Sequence, residues 1–267
     1  MTIRAFNLPW FIFAAIALAL ILLLWKYYHK ASYEKRRNVM LGLTWTVVIY
    51  LILYRVFLAF DPGYNFVFWN ELPLQPCNIC CIFAVFAVAY DSKILKAFCF
   101  YVGILAPIMA LVMVESAFTD VPVFSARSIG YYGFHFLVIV ESVSFATLHL
   151  FEPEYSYIKN VTGFFALLLI PIHIINTILR ATVYPKASYF WTYGNEENAI
   201  LVKLKELIPI NLVYMLPLAI VFAIYCIAVT AVSKLIFHYS NDINEHDGTN
   251  IVTAITGDTE HFDDIEE

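Results

Sequence analysis

The chain has 267 residues, of which 61% are hydrophobic and 14% are charged, and its formal net charge is −5. Soluble domains carry about 25% charged residues, so this composition argues against an ordinary soluble fold. The negative charge lies mostly in the C-terminal residues and offers no basic surface for nucleic acid. We therefore predict an all-α polytopic membrane protein whose partners are membrane lipids and not nucleic acids.

The apolar runs approach membrane-spanning length and are separated by short polar joints. They predict a bundle of about seven transmembrane helices over residues 8–28, 39–60, 72–90, 97–114, 130–150, 158–179 and 207–237. The first run is too long for a signal peptide and lacks a cleavage site, so it is interpreted as the first helix. Residues 1–237 are thus predicted to form one transmembrane domain. Residues 238–267 are predicted to form a disordered, acidic tail, because they hold nine acids and no lysine or arginine.

Lysines and arginines near the ends of the predicted helices indicate the orientation of the chain. The strongest cluster follows the first helix and comprises Lys26, Lys30, Lys35, Arg36 and Arg37. Placing this cluster inside predicts a multi-pass protein of the cell membrane with its N-terminus outside and its acidic tail in the cytoplasm. Further basic residues lie in joints on the opposite face, so the pattern is not one-sided.

The start of the third predicted helix carries a cysteine in an unusual position. Pro73 and Pro76 bracket the entry, and Pro76 suits the first helical turn, where its missing N–H costs nothing. Cys77 then lies beside N–H groups that have no intrahelical partner, at the positive end of the helix dipole. Both features favour a thiolate and supply donors for a developing oxyanion, so Cys77 is a candidate nucleophile.

Alternation of the helices brings other polar residues to the same membrane face. His135 lies in the first turns of the fifth predicted helix, and His173, Asn176 and Arg180 follow one face near the end of the sixth. Polar side chains in lipid are costly and generally turn toward one another. The sequence therefore predicts that these residues and Cys77 meet in one cavity near the outer surface.

Each of these residues also has a simpler interpretation. A cysteine in an apolar helix is more often a small packing residue, and His135 could be only a hydrogen-bond bridge between helices. Arg180 could extend to the interface. Cys77 and Cys80 have the spacing of zinc ligands, but no second Cys/His pair follows, so no metal and no cofactor is predicted.

Several motifs carry a resemblance to a known family. They are Leu72-Pro73-Leu74-x-x-Cys77, Phe100-Tyr101-x-Gly103, Arg127, His135 and Asn176. The chain resembles the YwaF-type bacterial membrane proteins, which are similar to the transmembrane protein 164 family, over about residues 70–225. Gln75 stands where the family pattern has a second histidine. The resemblance implies a cysteine-dependent phospholipid acyltransferase with Cys77 as acyl acceptor and His135 as general base.

Two hypotheses for the function follow. The first is a lipid acyltransferase or hydrolase that acts on a phospholipid or acyl-lipid through Cys77 and His135. Its predicted substrate-binding residues are Gln75, Asn78, Asn176, Arg180 and His173, with Asn176 or the N–H groups of 74–78 at the oxyanion and Arg180 at a phosphate. The second is a non-enzymatic membrane binder or transporter of a small or lipidic substrate. In that case the proline-interrupted late helices would line its path.

Overall fold

The structure is a computed structural model that describes residues 1–194 and 198–237. The described residues form eight α-helices and a short two-stranded antiparallel ribbon. The helices are α1 (Leu8–Tyr28), α2 (Tyr33–Ala59), α3 (Pro76–Ala89), α4 (Lys93–Val112), α5 (Ala126–Thr147), α6 (Ser156–Thr182), α7 (Ala199–Leu207) and α8 (Leu216–Phe237). The all-α polytopic membrane fold is confirmed, whereas the predicted tail lies outside the described residues.

The predicted count of seven spans needs a correction at α3. Six helices of the described part are long and apolar enough to cross a membrane, but α3 has only 14 residues. At 1.5 Å per residue it extends for about 21 Å, which is less than the roughly 30 Å of a hydrocarbon core. The helix begins at Pro76 because the two prolines prevent helical hydrogen bonding before it. Residues 60–75 connect α2 to α3 and contain only a single 3-10 turn at Phe68–Asn70.

The last predicted span also begins later than expected. The run 207–237 separates into the end of α7, a bend at residues 208–215 and the long helix α8. Pro209 disfavours a helical conformation at Ile208, and Leu212 adopts a positive φ of 65°. The bend leaves α7 as a short separate helix at the same end of the bundle as the start of α3.

The core of the bundle is built around α5. This helix packs against α1, α2, α3 and α4, and it is the most buried of the membrane-length helices. α6 contacts α4 and α8, while much of the surface of α1, α6 and α8 faces outward with large apolar side chains, as expected in lipid. α5 is therefore held in place by four neighbouring helices, and its N-terminal half carries His135.

Basic side chains hold helix ends together at the end of the bundle opposite the start of α3. Arg37 donates to the carbonyl oxygens of Val88 and Ala89 at 3.1 and 2.8 Å, and Arg36 donates to Leu148 O at 3.1 Å. These carbonyls lie at the C-terminal ends of α3 and α5, where the helix dipole favours a cation. The cluster that predicted the orientation of the chain thus also joins α2 to two helix ends.

A close approach of two helices gives a test of this packing. A side chain at Gly130 of α5 would overlap the ring of Tyr54 on α2, which is 4% exposed, whereas a Cβ at Gly163 meets nothing within 4 Å. We expect Gly130→Val to destabilise the protein by about 1–3 kcal/mol through overpacking. Thermal unfolding in detergent should show a lower midpoint for Gly130→Val and little change for the matched variant Gly163→Val. Equal midpoints would contradict the packing described here.

Candidate functional site

The start of α3 has the geometry that the sequence predicts. Gln75 is the N-cap residue, Pro76 opens the helix, and Cys77 and Asn78 occupy the next two positions. No side-chain hydrogen bond caps this helix start in the described residues. The first N–H groups of an α-helix lack intrahelical partners, so those of Cys77 and Asn78 remain available as donors. The side chain of Gln75 instead accepts a hydrogen bond from Phe190 N at 3.3 Å.

A cavity of about 110 Å³ lies at this helix start. Cys77 and His135 both line it, so the structure brings the two predicted catalytic residues to one site. Its other lining residues are Tyr54, Arg55, Tyr64, Asn70, Glu71, Gln75, Pro76, Asn78, Ala106, Ala110, Glu115, Phe118, Tyr131, Phe134 and Trp191. Pockets that enclose a drug-sized ligand measure roughly 300–1,000 Å³, so this one is too small for a whole lipid in its present shape.

The ring of His135 is held in a defined tautomer. Its Nδ1 lies 2.7 Å from the carbonyl oxygen of Tyr131, one turn earlier on α5. A carbonyl oxygen can only accept, so Nδ1 carries the proton and Nε2 bears the lone pair. The ring also packs against Tyr131 and Phe134, with centroids 4.4 and 5.3 Å apart, and His135 is 9% exposed. Nε2 is therefore the nitrogen that can accept a proton in the cavity.

Asn78 is a buried donor without a partner. The residue is 2% exposed and lines the cavity, and its Nδ2 has no hydrogen-bond partner among the described residues. Leaving a buried amide unpaired costs about 1–3 kcal/mol, so such groups usually have a role or a ligand. Its position one residue after Cys77 places this donor on the same helix turn as the thiol.

An ion pair forms another wall of the cavity. Arg55 of α2 pairs with Glu71, which is 7% exposed and lies just before α3. Glu71 also accepts hydrogen bonds at Oε1 from Tyr64 Oη at 2.5 Å and from Asn70 Nδ2 at 3.0 Å. Burial raises the pKa of Tyr64, so its hydroxyl stays protonated and donates to the carboxylate. This network fixes residues 64–71 against α2.

Sequence reasoning did not identify Arg55, Glu71 or Tyr64. A signal was present for Arg55, because a charged residue inside a predicted membrane span is costly and generally turns to a partner or a cavity. The sequence gives no such signal for Glu71 or Tyr64, because both lie in a polar joint between predicted helices, where charged and polar residues are common. Their role depends on the folding of residues 60–75 into the bundle.

The three predicted binding residues on α6 do not line this cavity. Asn176, which is fully buried, donates from Nδ2 to Tyr189 O and to Thr192 Oγ1, both at 2.8 Å, and accepts from Tyr189 N at 2.9 Å. His173 Nδ1 lies 3.1 Å from Thr192 Oγ1. The prediction that these residues share a face of α6 is correct, but that face packs against the 188–194 loop.

Arg180 belongs to the same arrangement. Its Nη1 donates to Ala187 O at 3.1 Å, and its guanidinium lies 4.5 Å from the ring centre of Tyr193. These contacts are with residues 187 and 193, and Arg180 does not line the cavity. A role for His173, Asn176 or Arg180 in direct substrate binding stays a prediction.

The other cysteines lie deeper or elsewhere. Cys80, Cys81, Cys99 and Cys226 are all free and buried, and none of them lines the cavity. Cys81 donates to Asn78 O at 3.1 Å, and Cys99 Sγ is 3.5 Å from Cys80 O. Their surroundings are those of packing residues, so Cys77 differs from them by its position at the cavity and at a helix start.

These features define a polytopic membrane protein with a buried Cys–His cavity at one end of its bundle. The model of the TMEM164 family matches residues 3–232, and the chain therefore belongs to this family. This match confirms the resemblance to the transmembrane protein 164 family, whereas the YwaF-type label stays a prediction. Neither a curated protein nor a solved structure matches the chain.

Proposed function

We propose that the protein is a lipid acyltransferase or hydrolase in which Cys77 is the nucleophile and His135 the general acid and base. The observation that carries this proposal is the meeting of Cys77, His135 and the unpaired Asn78 amide at one cavity. Thiol acyl transfer requires a nucleophile, a base and donors for an oxyanion within reach of one reacting carbonyl. The cavity supplies all three residue types.

In the first half of the reaction, His135 Nε2 takes the proton from Cys77, and the thiolate attacks an ester carbonyl of an acyl-lipid. The carbonyl oxygen becomes an oxyanion, which Asn78 Nδ2 and the N–H groups at the start of α3 stabilise. Collapse of this intermediate breaks the ester C–O bond. The lysolipid oxygen leaves with the proton from His135, and the acyl group remains on Cys77 as a thioester.

In the second half, an acceptor hydroxyl or water attacks the thioester carbonyl while His135 removes its proton. The same donors stabilise the second oxyanion, and the thiolate leaves and regains the proton from His135. An acceptor lipid gives acyl transfer, and water gives hydrolysis. In this proposal the 188–194 loop is held beside the cavity by contacts from Gln75, His173, Asn176 and Arg180.

The proposal is tested by turnover in lipid. Purified protein in phosphatidylcholine vesicles that contain a lysophospholipid acceptor should release lysophosphatidylcholine, measured by mass spectrometry. Cys77→Ser should lower this rate by about 10³-fold or more, because a serine hydroxyl is scarcely ionised. Cys226→Ser replaces a buried cysteine outside the cavity and should leave the rate unchanged. Equal rates for the two variants would contradict the proposal.

A non-enzymatic binder or transporter is the second candidate, and Glu141 is the observation that favours it. This residue of α5 is 1% exposed, and neither carboxyl oxygen has a hydrogen-bond partner in the described part of the chain. Carboxyl groups within a membrane often lie on substrate or proton paths. This candidate predicts that Glu141→Gln abolishes binding or transport while Cys77→Ser does not.

A further inference from the structure

The 188–194 loop presents one side chain to the cavity. Trp191 is half-buried and lines the cavity together with Cys77 and His135. An indole is large and rigid, so its position determines how much room remains beside the thiol. The cavity of about 110 Å³ is too small for a lipid, and the indole of Trp191 is one of the groups that bound the space beside Cys77.

The backbone that carries Trp191 is held in an unfavourable conformation. Phe190 and Trp191 both have positive φ values, 52° and 56°, in a region that residues with a Cβ rarely adopt. Such a conformation persists only where surrounding contacts determine it. Trp191 N donates to Ser188 O at 2.8 Å, and Trp191 O accepts from Gly194 N at 2.8 Å and from the hydroxyl of Tyr214.

Contacts from two helices hold the residues on either side. The Asn176 side chain makes its three hydrogen bonds to Tyr189 and Thr192, which flank Phe190 and Trp191. Gln75, the N-cap residue of α3, accepts from Phe190 N at 3.3 Å. Asn176 thereby links α6 to the loop, and Gln75 links the loop to the helix that carries Cys77. These hydrogen bonds to the loop explain why an asparagine is stable in a fully buried position on α6.

We infer that Trp191 is a specificity-determining residue of the Cys77 cavity, whose indole limits the size of the group that reaches the thiol, and that Asn176 is the residue that positions it. Trp191 selects among substrates only if Cys77 is the nucleophile proposed above. Its control over access to the thiol can be measured without any turnover.

The test compares two uncharged methanethiosulfonates of different size, the methyl and the benzyl reagent. Each transfers its thioalkyl group to the thiolate and releases methanesulfinate, and the modification rate at Cys77 is followed by peptide mass spectrometry. Full-length protein in detergent is compared with Trp191→Ala, Trp191→Phe, Asn176→Leu and Thr192→Val. Trp45→Ala is the matched control, because Trp45 is 51% exposed on α2 and lies outside the cavity.

We expect the ratio of benzyl to methyl rates to rise about tenfold or more in Trp191→Ala, a change of about 1.4 kcal/mol in relative barrier height. Trp191→Phe should give a smaller rise, and Trp45→Ala none. Asn176→Leu should raise the ratio as Trp191→Ala does. Thr192→Val removes the hydroxyl that both Asn176 and His173 contact, and it should give the same direction of change if Asn176→Leu fails to fold.

Two results would overturn the role of Trp191. One is an unchanged ratio in Trp191→Ala, including the case where Cys77 reacts in no variant. The other is an equal rise for both reagents, which indicates general loosening and not a size limit. If the ratio of benzyl to methyl rates rises in Trp191→Ala but in neither Asn176→Leu nor Thr192→Val, the role of Asn176 is overturned. A raised ratio in a protein without turnover would leave the size limit intact and contradict the proposed function instead.

Discussion

His135→Ala is expected to lower the acyl-transfer rate as far as Cys77→Ser, by about 10³-fold or more, and the double variant should be little worse than either single one. The reason is that the thiol gains its reactivity from the base, and residues that act as one unit are not additive. The hydrogen bond from Nδ1 to Tyr131 O leaves Nε2 as the only ring nitrogen that can accept the proton. Rates are measured in phosphatidylcholine vesicles at equal amounts of folded protein.

His149→Ala is the matched control for this result. His149 follows the opposite end of α5 and does not line the cavity, so its replacement should leave the rate within about twofold of the native protein, a difference of less than 1 kcal/mol. A purely structural histidine would give another pattern. His135→Ala would then lower the melting temperature or the yield and leave the rate per folded molecule intact, which would exclude His135 as the base.

Asn78→Leu should lower kcat by about 10²–10³-fold, as removal of one oxyanion donor does in other acyl-transfer sites. Asn78→Asp keeps the shape but replaces the donor with an acceptor, and it should be at least as severe because a carboxylate repels the oxyanion. Because Asn78 Nδ2 has no partner in the described residues, its removal breaks no hydrogen bond of the resting protein. Stability should therefore change much less than catalysis.

The matched control for Asn78 is Asn38→Leu, at an exposed position on α2 near the other face. Reactivity of Cys77 toward methyl methanethiosulfonate serves as a second readout, since it does not need an oxyanion donor. We expect this reactivity to persist in Asn78→Leu. An Asn78→Leu variant with native kcat would exclude the amide from the oxyanion site and leave only the backbone N–H groups of α3.

Much of the fold was predictable because lipid imposes a strong pattern on the sequence. The bounds predicted for the first helix, 8–28, agree with α1, those of α4, α5 and α6 differ by two to four residues at their ends, and α2 begins six residues earlier than predicted. The errors lie at residues 72–75 and 207–215, where Pro73, Pro76 and Pro209 interrupt apolar runs. Hydropathy alone does not distinguish an apolar run that is helical from one that bends beside a cavity.

The candidate site was predictable only in part, for a related reason. The depth of Cys77 and His135 follows from the alternation of helices, and the structure brings both to one cavity. The loop contacts of Asn176 were not predictable, because they depend on a path of residues 188–194 that no periodicity describes. The same holds for Glu71, whose pairing with Arg55 requires residues 60–75 to fold back against α2.

Trapping the acyl-enzyme tests whether Cys77 is the nucleophile. Protein incubated with phosphatidylcholine vesicles that carry an alkyne-tagged acyl chain, without an acceptor lipid, is quenched in acid and mapped by mass spectrometry. We expect one acyl group on the Cys77 peptide, its removal by neutral hydroxylamine as expected for a thioester, and its absence from Cys77→Ser. Acylation confined to another cysteine, or lysolipid release by Cys77→Ser at the native rate, would contradict this role of Cys77.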